Sequence, residues 1–484
     1  MMKQNVILFT ADQFRYDCLG HLGVFPVKTP NLDALAAGGT IFDNAYTPYP
    51  MCVPARASIM TGLPACRHGV YYNSMSWPKN METLPGVLAE NGYYTVKVGK
   101  THFFPPERHG GFHKVMTPEE LRRFMSDKNQ DFGKKKMPEP GATGRDWDNM
   151  VVRHYNHVWD AKTKLEDYPP VMYTTYALAE LDRIAATRAC RDSASEPFFM
   201  WISVLQPHSP CKPPPPYNDM YRPEDLPPPV KSEAELKFFA KPLLEGKRGW
   251  RALDDTSIAA FRARYMGDVS AVDAQVGRVI EKLEQLGLRE NTLFIFTSDH
   301  GDYLGDHHLL QKGYFHEPSS RVPLIFNGPG VKKGHRVSGL ASLCDIKPTV
   351  LERCSLSMPG LRDHNGVLIE PDWAPAPDTM SLEPALQGQD LPADRVMLSE
   401  SGIYGHGLMA RQANLKYNYY PQTQEFDFFD LESDPKELNN RGCDVTWETL
   451  PDWARKTFER ILADCEHLRG RSYEYDGIVR PMFT

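Results

Sequence analysis

Residues 5–13 read NVILFTADQ and residues 292–300 read TLFIFTSDH, each an apolar, β-prone run that stops on an acid followed by a second polar side chain. A third run, FFMWISV, spans Phe198–Val204. In all three (Asn5–Phe9 and Thr292–Phe296 being the others) the apolar character is continuous rather than alternating, which marks strands covered on both faces, as in a parallel sheet between helices. Apolar residues at helical spacing fall between them, at Asn31–Ala37, Thr83–Asn91, Tyr176–Ala189 and Ile258–Leu286. The alternation predicts an α/β fold: a large mixed, mostly parallel sheet sandwiched by helices.

Beyond about Pro371 the sequence changes character. A linker-like run, EPDWAPAPDTMSLEPALQGQD, precedes short strand candidates at Val396–Leu398 and Leu415–Tyr420 and a final helix over Leu450–His467. This predicts a large catalytic domain over residues 1–375 and a smaller C-terminal α+β subdomain over 376–484, with a small antiparallel sheet and a helix. Two stretches break the strand–helix pattern, Pro105–Ala161 and the proline-rich Pro207–Pro229. Both are expected as excursions over a sheet edge, either passive surface or cover for a site.

With 41% hydrophobic and 24% charged residues in 484, the chain falls in the globular class, and disordered or fibrous classes are excluded. The net charge of -7 is spread along the chain and the one basic run is Lys134–Lys136, so nucleic acid is not an expected partner. The opening MMKQNVILFTADQ is too short an apolar run for a signal peptide or a membrane span, and the expectation is a cytoplasmic protein with no membrane partner. Nine cysteines, an odd number with no C-x-x-C pair, argue against a disulfide framework and give no spacing signal for structural zinc.

The chemistry-bearing residues sit where the strands end. In open α/β sheets the carboxyl edge of the strands forms the ligand crevice, so Asp12, Gln13, Asp299 and His300 are placed to converge on one divalent cation. Either pair alone reads as turn or capping residues. Cys52 lies in PMCVPARASIMTG (residues 50–62), where Pro54 suits the first turn of a helix and the positive end of the helix dipole favours a reactive thiolate. A cysteine-phosphatase loop would need an arginine six positions on, where Ser58 stands.

The pattern C-x-P-x-R followed by T-G, here Cys52, Pro54, Arg56, Thr61 and Gly62, resembles the signature of the type I, formylglycine-dependent sulfatases of the alkaline phosphatase superfamily. The resemblance continues through ADQFRYDCLG, KTPNLDALAAGG, QPHSP, SDHGDYLGDH and FDLESDPKELNN. It implies an alkaline phosphatase-like fold, and oxidation of Cys52 to formylglycine by a formylglycine-generating enzyme. It also implies a metal site of Asp12, Gln13, Cys52, Asp299 and His300, with calcium the family's ion, and catalytic roles for Cys52, Arg56, Lys100, His102, His208 and Lys312. The implied reaction is hydrolysis of a small-molecule or saccharide sulfate monoester, as in arylsulfatases. A formylglycine gem-diol attacks sulfur, a covalent sulfo-enzyme forms, and His102 deprotonates the second hydroxyl to release sulfate. Arg56, Lys100 and Lys312 neutralise the sulfuryl oxygens, and His208 and Lys312 protonate the leaving group.

Two positions depart from the family pattern. Many members carry a second aspartate where Gln13 stands and an asparagine where His300 stands. Imidazole suits manganese, zinc or iron better than calcium, and this metal set is similar to that of the phosphonate monoester hydrolase branch. Lys100 and His102 keep the sulfatase pattern, which leaves phosphonate monoester or phosphodiester hydrolysis as the alternative. A non-catalytic binding protein on the same scaffold would have lost the nucleophile motif, which is intact. The alcohol portion of the substrate and any homo-oligomer stay open.

Overall fold

The computed structural model describes residues 3–75, 77, 81–100, 110–128, 164–191, 196–233, 235, 254–356, 379–402, 406–465, 472–475 and 478–481. Strands β1 (Asn5–Asp12), β2 (Thr40–Tyr46), β3 (Tyr94–Gly99), β4 (Lys114–Val115), β5 (Phe198–Pro207), β6 (Thr292–Ser298), β7 (Leu324–Asn327) and β8 (His335–Ser342) form an eight-stranded sheet in the order β4-β3-β5-β1-β6-β7-β2-β8. β1 pairs in parallel with β5 and β6. β3 is parallel to β4 and β5, and β2 to β8, while β7 runs against both its neighbours, β6 and β2.

Every residue of β1 and β6 is buried, which is the physical origin of their unbroken apolar text. Alternate side chains of β1 feed two cores. Ile7 and Phe9 join a cluster with Leu32 and Leu35 of α1 (Pro30–Ala37), Ala177 and Leu181 of α4 (Pro169–Arg191), and Val269, Val272 and Val276 of α5 (Asp255–Gln285). Val6 and Leu8 join the other, with Val53, Ala57 and Met60 of α2 (Cys52–Thr61), Leu84 and Leu88 of α3 (Leu84–Glu90), and Val350 and Leu351 of α6 (Ile346–Arg353). The expected sandwich is therefore present, with α1, α4 and α5 on one face and α2, α3 and α6 on the other.

Element ends follow local chemistry. The Thr83 hydroxyl caps α3 by accepting from the Gly86 amide at 3.2 Å, and Asp254 caps α5 through the Ser257 amide at 2.7 Å. α4 begins at Pro169 rather than Tyr176, because Pro169 and Pro170 occupy a first turn whose amides need no partner. Within the expected loop 105–161, residues 110–128 instead form edge strand β4 and a helix, Pro118–Lys128; the rest lies outside the described residues.

Strands β9 (Val396–Ser401), β10 (Gly407–Gln412), β11 (Leu415–Tyr420) and β12 (Glu425–Asp430) form a separate antiparallel sheet in the order β12-β11-β10-β9. Its Leu398, Leu408 and Tyr417 pack on Ala454, Phe458 and Ile461 of α7 (Asp452–Asp464), and the same cluster takes in Tyr49, Met51 and Tyr71 from the segments flanking α2. A two-stranded ribbon, β13 (Ser472–Tyr475) with β14 (Ile478–Pro481), follows. The expected boundary near residue 375 falls outside the described residues. Among the described residues no helix is long and apolar enough to cross a membrane.

One buried acid gives the fold a pH signature. Burial pushes the carboxyl of Asp268, on α5, up from 3.8 to about 8, against hydrogen bonds led by the Tyr168 hydroxyl. The folded state thus keeps a proton that the unfolded chain releases, and its stability falls as pH rises through the window between those values. Asp268→Asn keeps the shape without the ionisation. In denaturant melts the variant should gain on the wild type between about pH 5 and about pH 8; a difference independent of pH would overturn this assignment.

Candidate active site

The adjacent strands β3, β5, β1 and β6 are parallel and end at one edge of the sheet. Lys100 follows β3 directly, His208 follows β5, Asp12 ends β1 with Gln13 next, and Asp299 and His300 follow β6. β2 keeps the same direction, because it and β6 both oppose β7, so the segment after it brings the start of α2 to that edge. This is the crevice where α/β sheets bind ligands.

Cys52 is the first residue of α2, behind an extended Met51 that makes no side-chain cap. Its Sγ lies 3.2 Å from His300 Nε2, 3.6 Å from Lys100 Nζ and 3.8 Å from Asp12 Oδ1. Burial and the Asp12 charge push the thiol up, but Lys100 and Lys312 outweigh them, and the net shift is downward.

Arg56, one helical turn on, organises the carboxylates. Its Nη2 donates to Asp12 Oδ2 and its Nε to Asp299 Oδ2, both at 2.9 Å, and its Nη1 donates to Ser203 Oγ at 2.6 Å and the Lys100 carbonyl at 3.3 Å. The resemblance gives Arg56 a place beside the sulfuryl oxygens; its guanidinium here bonds Asp12, Asp299, Ser203 and the Lys100 carbonyl. Each acid gives Oδ2 to the arginine and keeps Oδ1. Asp299 Oδ1 accepts the amides of Gln13 and His300, each at 3.1 Å. Burial pushes Asp12 up, yet Lys100 and Arg56 hold it well below the usual carboxylate range. Lys100 Nζ itself donates to Asp12 Oδ2.

His300 Nδ1 lies 3.0 Å from the Gly301 carbonyl, which only accepts, so the proton sits on Nδ1 and the Nε2 lone pair faces Cys52. Burial, then Lys312, keep the ring neutral by pushing its pKa down. The ligand atoms of Asp12, Cys52, Asp299 and His300 all lie within 4.8 Å of one another, and all four residues are buried. One carboxylate oxygen from each acid, one imidazole lone pair and one position on residue 52 fit a single divalent cation, and the nitrogen favours manganese, zinc or iron over calcium.

Gln13 is buried with a left-handed backbone, φ 68°. The strained turn is held by its amide on Asp299 and by its carbonyl, which accepts the Tyr265 hydroxyl at 2.5 Å. The side chain is fixed too: Nε2 donates to Asp302 Oδ2 and Oε1 accepts from Lys312 Nζ at 2.6 Å. Lys312 Nζ also reaches His208 Nε2 at 2.7 Å, while His208 Nδ1 donates to the Ser209 carbonyl at 2.7 Å. His208 is therefore a neutral acceptor, its pKa lowered by burial first and by Lys312 second. Lys312 is the proton-bearing member of the pair. His102 lies outside the described residues.

Three supporting residues escape a reading of the sequence. Asp302 stands within SDHGDYLGDH, close behind Asp299, and Ser203 interrupts an otherwise apolar strand, a placement that calls for a polar partner. Tyr265 carries no such signal.

Residues 4–355 match the family model described as Sulfatase. The chain is 31% identical to an arylsulfatase of Clostridium perfringens over 95% of each sequence. It is 29% identical to a multifunctional alkaline phosphatase superfamily protein of Trinickia caryophylli over 96% of each. The crystal structure of the phosphonate monoester hydrolase of Agrobacterium radiobacter is similar with a TM-score of 0.75 and 25% identity, over 96% of both chains.

Truncating the guanidinium should be far more damaging than truncating its neutral partner. Arg56→Met leaves Asp12 and Asp299 buried without their shared cation and should cost about 3–5 kcal/mol in chemical denaturation. Ser203→Ala removes one hydrogen bond and should cost about 1 kcal/mol. Equal losses would show that the arginine does not anchor the acids.

Proposed function

The chain belongs to the sulfatase family and is a sulfatase enzyme; from that premise we propose that it hydrolyses a small-molecule or saccharide sulfate monoester, using a nucleophile built on residue 52. The observation that carries the proposal is Cys52 Sγ set 3.6 Å from the Lys100 ammonium and 3.2 Å from the His300 lone pair, at the start of a helix. A nucleophile, a cation and a metal-ligand set share one point.

A sulfate monoester spreads negative charge over its outer oxygens, so an anionic nucleophile meets repulsion unless cations line the approach. Lys100 and Lys312 supply that charge, in a site where burial strengthens it. Converted to formylglycine, residue 52 supplies a hydrated aldehyde, with one hydroxyl to attack sulfur and another whose deprotonation, by His102, frees sulfate. Asp12, Asp299, His300 and residue 52 would hold a divalent cation, which would supply Lewis acidity at that hydroxyl, while Gln13 positions Lys312 beside it. The leaving alkoxide takes its proton from the Lys312 ammonium, which neutral His208 and Gln13 hold in place.

Phosphonate monoester or phosphodiester cleavage is a second reading. It is supported by the neutral His300 in the ligand group, by an amide rather than a carboxylate at Gln13 beside it, and by the likeness to the Agrobacterium radiobacter hydrolase. Both substrate classes present a tetrahedral oxyanion.

Expressed with a formylglycine-generating enzyme, the chain should yield a tryptic peptide Thr29–Arg56 carrying an aldehyde at residue 52 by mass spectrometry. Active enzyme showing only thiol there would refute the proposed nucleophile. Cys52→Ala should abolish turnover without loss of fold by circular dichroism. Lys100→Ala should lower sulfatase kcat/KM by about 10²–10³ and phosphodiesterase activity by less. Matched losses on the two substrates would remove the case for sulfate as the preferred one.

A further inference from the structure

A second group of ligating side chains lies apart from the strand edge, inside the apolar cluster that joins α2's surroundings to the small sheet. Glu400 is on β9, His406 precedes β10, and Cys465 follows α7. Their ligand atoms lie within 4.8 Å of one another and all three residues are buried. Glu400 Oε2 is 3.0 Å from His406 Nε2, and Cys465 Sγ is 3.7 Å from that nitrogen and 3.9 Å from that oxygen.

Tetrahedral zinc, with bonds of about 2.3 Å to sulfur and about 2.0–2.2 Å to nitrogen and oxygen, sets its ligands about 3.3–3.6 Å apart. The observed triangle brackets those edges, so small adjustments close it around an ion. Glu400 Oε1 is held by the Cys66 amide at 2.8 Å, which leaves Oε2 to face the imidazole and the thiol.

We propose that Glu400, His406 and Cys465 form a second metal site, a buried structural centre for zinc. A thiol, an imidazole and a carboxylate are the donor types that zinc takes. Tyr71, whose hydroxyl is 3.7 Å from Cys465 Sγ and whose ring packs edge-on against His406, closes the side toward α2. An ion held there would tie the C-terminal sheet to the end of α7.

The test uses the full chain carrying Cys52→Ser, which removes the thiol of the other site, stripped of metal with a chelator and titrated with cobalt as a probe. One equivalent should give thiolate-to-metal charge-transfer absorption, bleached by added zinc and lost when Cys465→Ser or His406→Ala is added. Glu400→Gln preserves shape, and in it cobalt affinity should fall about 10–100-fold with the circular dichroism unchanged. The proposal is overturned by absence of the band, by its persistence in Cys465→Ser, by unchanged affinity in a folded Glu400→Gln chain, or by a Cys66–Cys465 disulfide in the purified protein.

Discussion

The site depends on one buried cation shared by two buried anions. Arg56 is 1% exposed, and its guanidinium spans the carboxyl ends of β1 and β6 by bonding Asp12 and Asp299. Two acids at neighbouring strand ends would otherwise repel across a low-dielectric edge. The planar fork does more than neutralise them, because it takes one oxygen from each and so turns the other to a common point. Since Arg56 and Cys52 share α2, the same bond network fixes where residue 52 sits. Lysine offers one point charge and no fork, so it cannot reproduce both orientations.

The central strands and the residues at their ends were legible because burial on both faces leaves an unmistakable text. β2 and β3 were less so. β2 carries Asp43 and Asn44, and β3 carries Lys97, whose buried ammonium lies 3.9 Å from the centre of the Trp201 ring and donates to the Lys100 carbonyl at 2.7 Å. A lysine satisfied by an aromatic face and a carbonyl reads, in sequence, as a surface residue. Ser203 and Tyr265 are invisible for another reason, since their partners Arg56 and Gln13 are remote in the chain. The Glu400, His406 and Cys465 group defeats spacing rules in the same way, because Cys465 comes from a separate segment.

Protonation divides the imidazoles from the amines. His208 and His300 each donate Nδ1 to a carbonyl and present Nε2 as a lone pair, so both are acceptors by construction. The amines face them as donors: Lys312 to His208 Nε2, and Lys100 to Asp12. Gln13 strengthens this division: its amide reads Asp302 on one side and Lys312 on the other, and a carboxylate there would have repelled Asp302 while binding the lysine more tightly.

The reversed strand β7 has a topological effect. A parallel crossover would carry the chain from the reactive rim to the far side of the sheet before re-entry. Because β7 opposes β6, the chain leaves β6 and enters β7 at the same rim, and all of residues 299–323 stays there. That excursion bears Asp299, His300, Asp302 and Lys312, so one change of direction lets a single connection bring four polar side chains to the crevice.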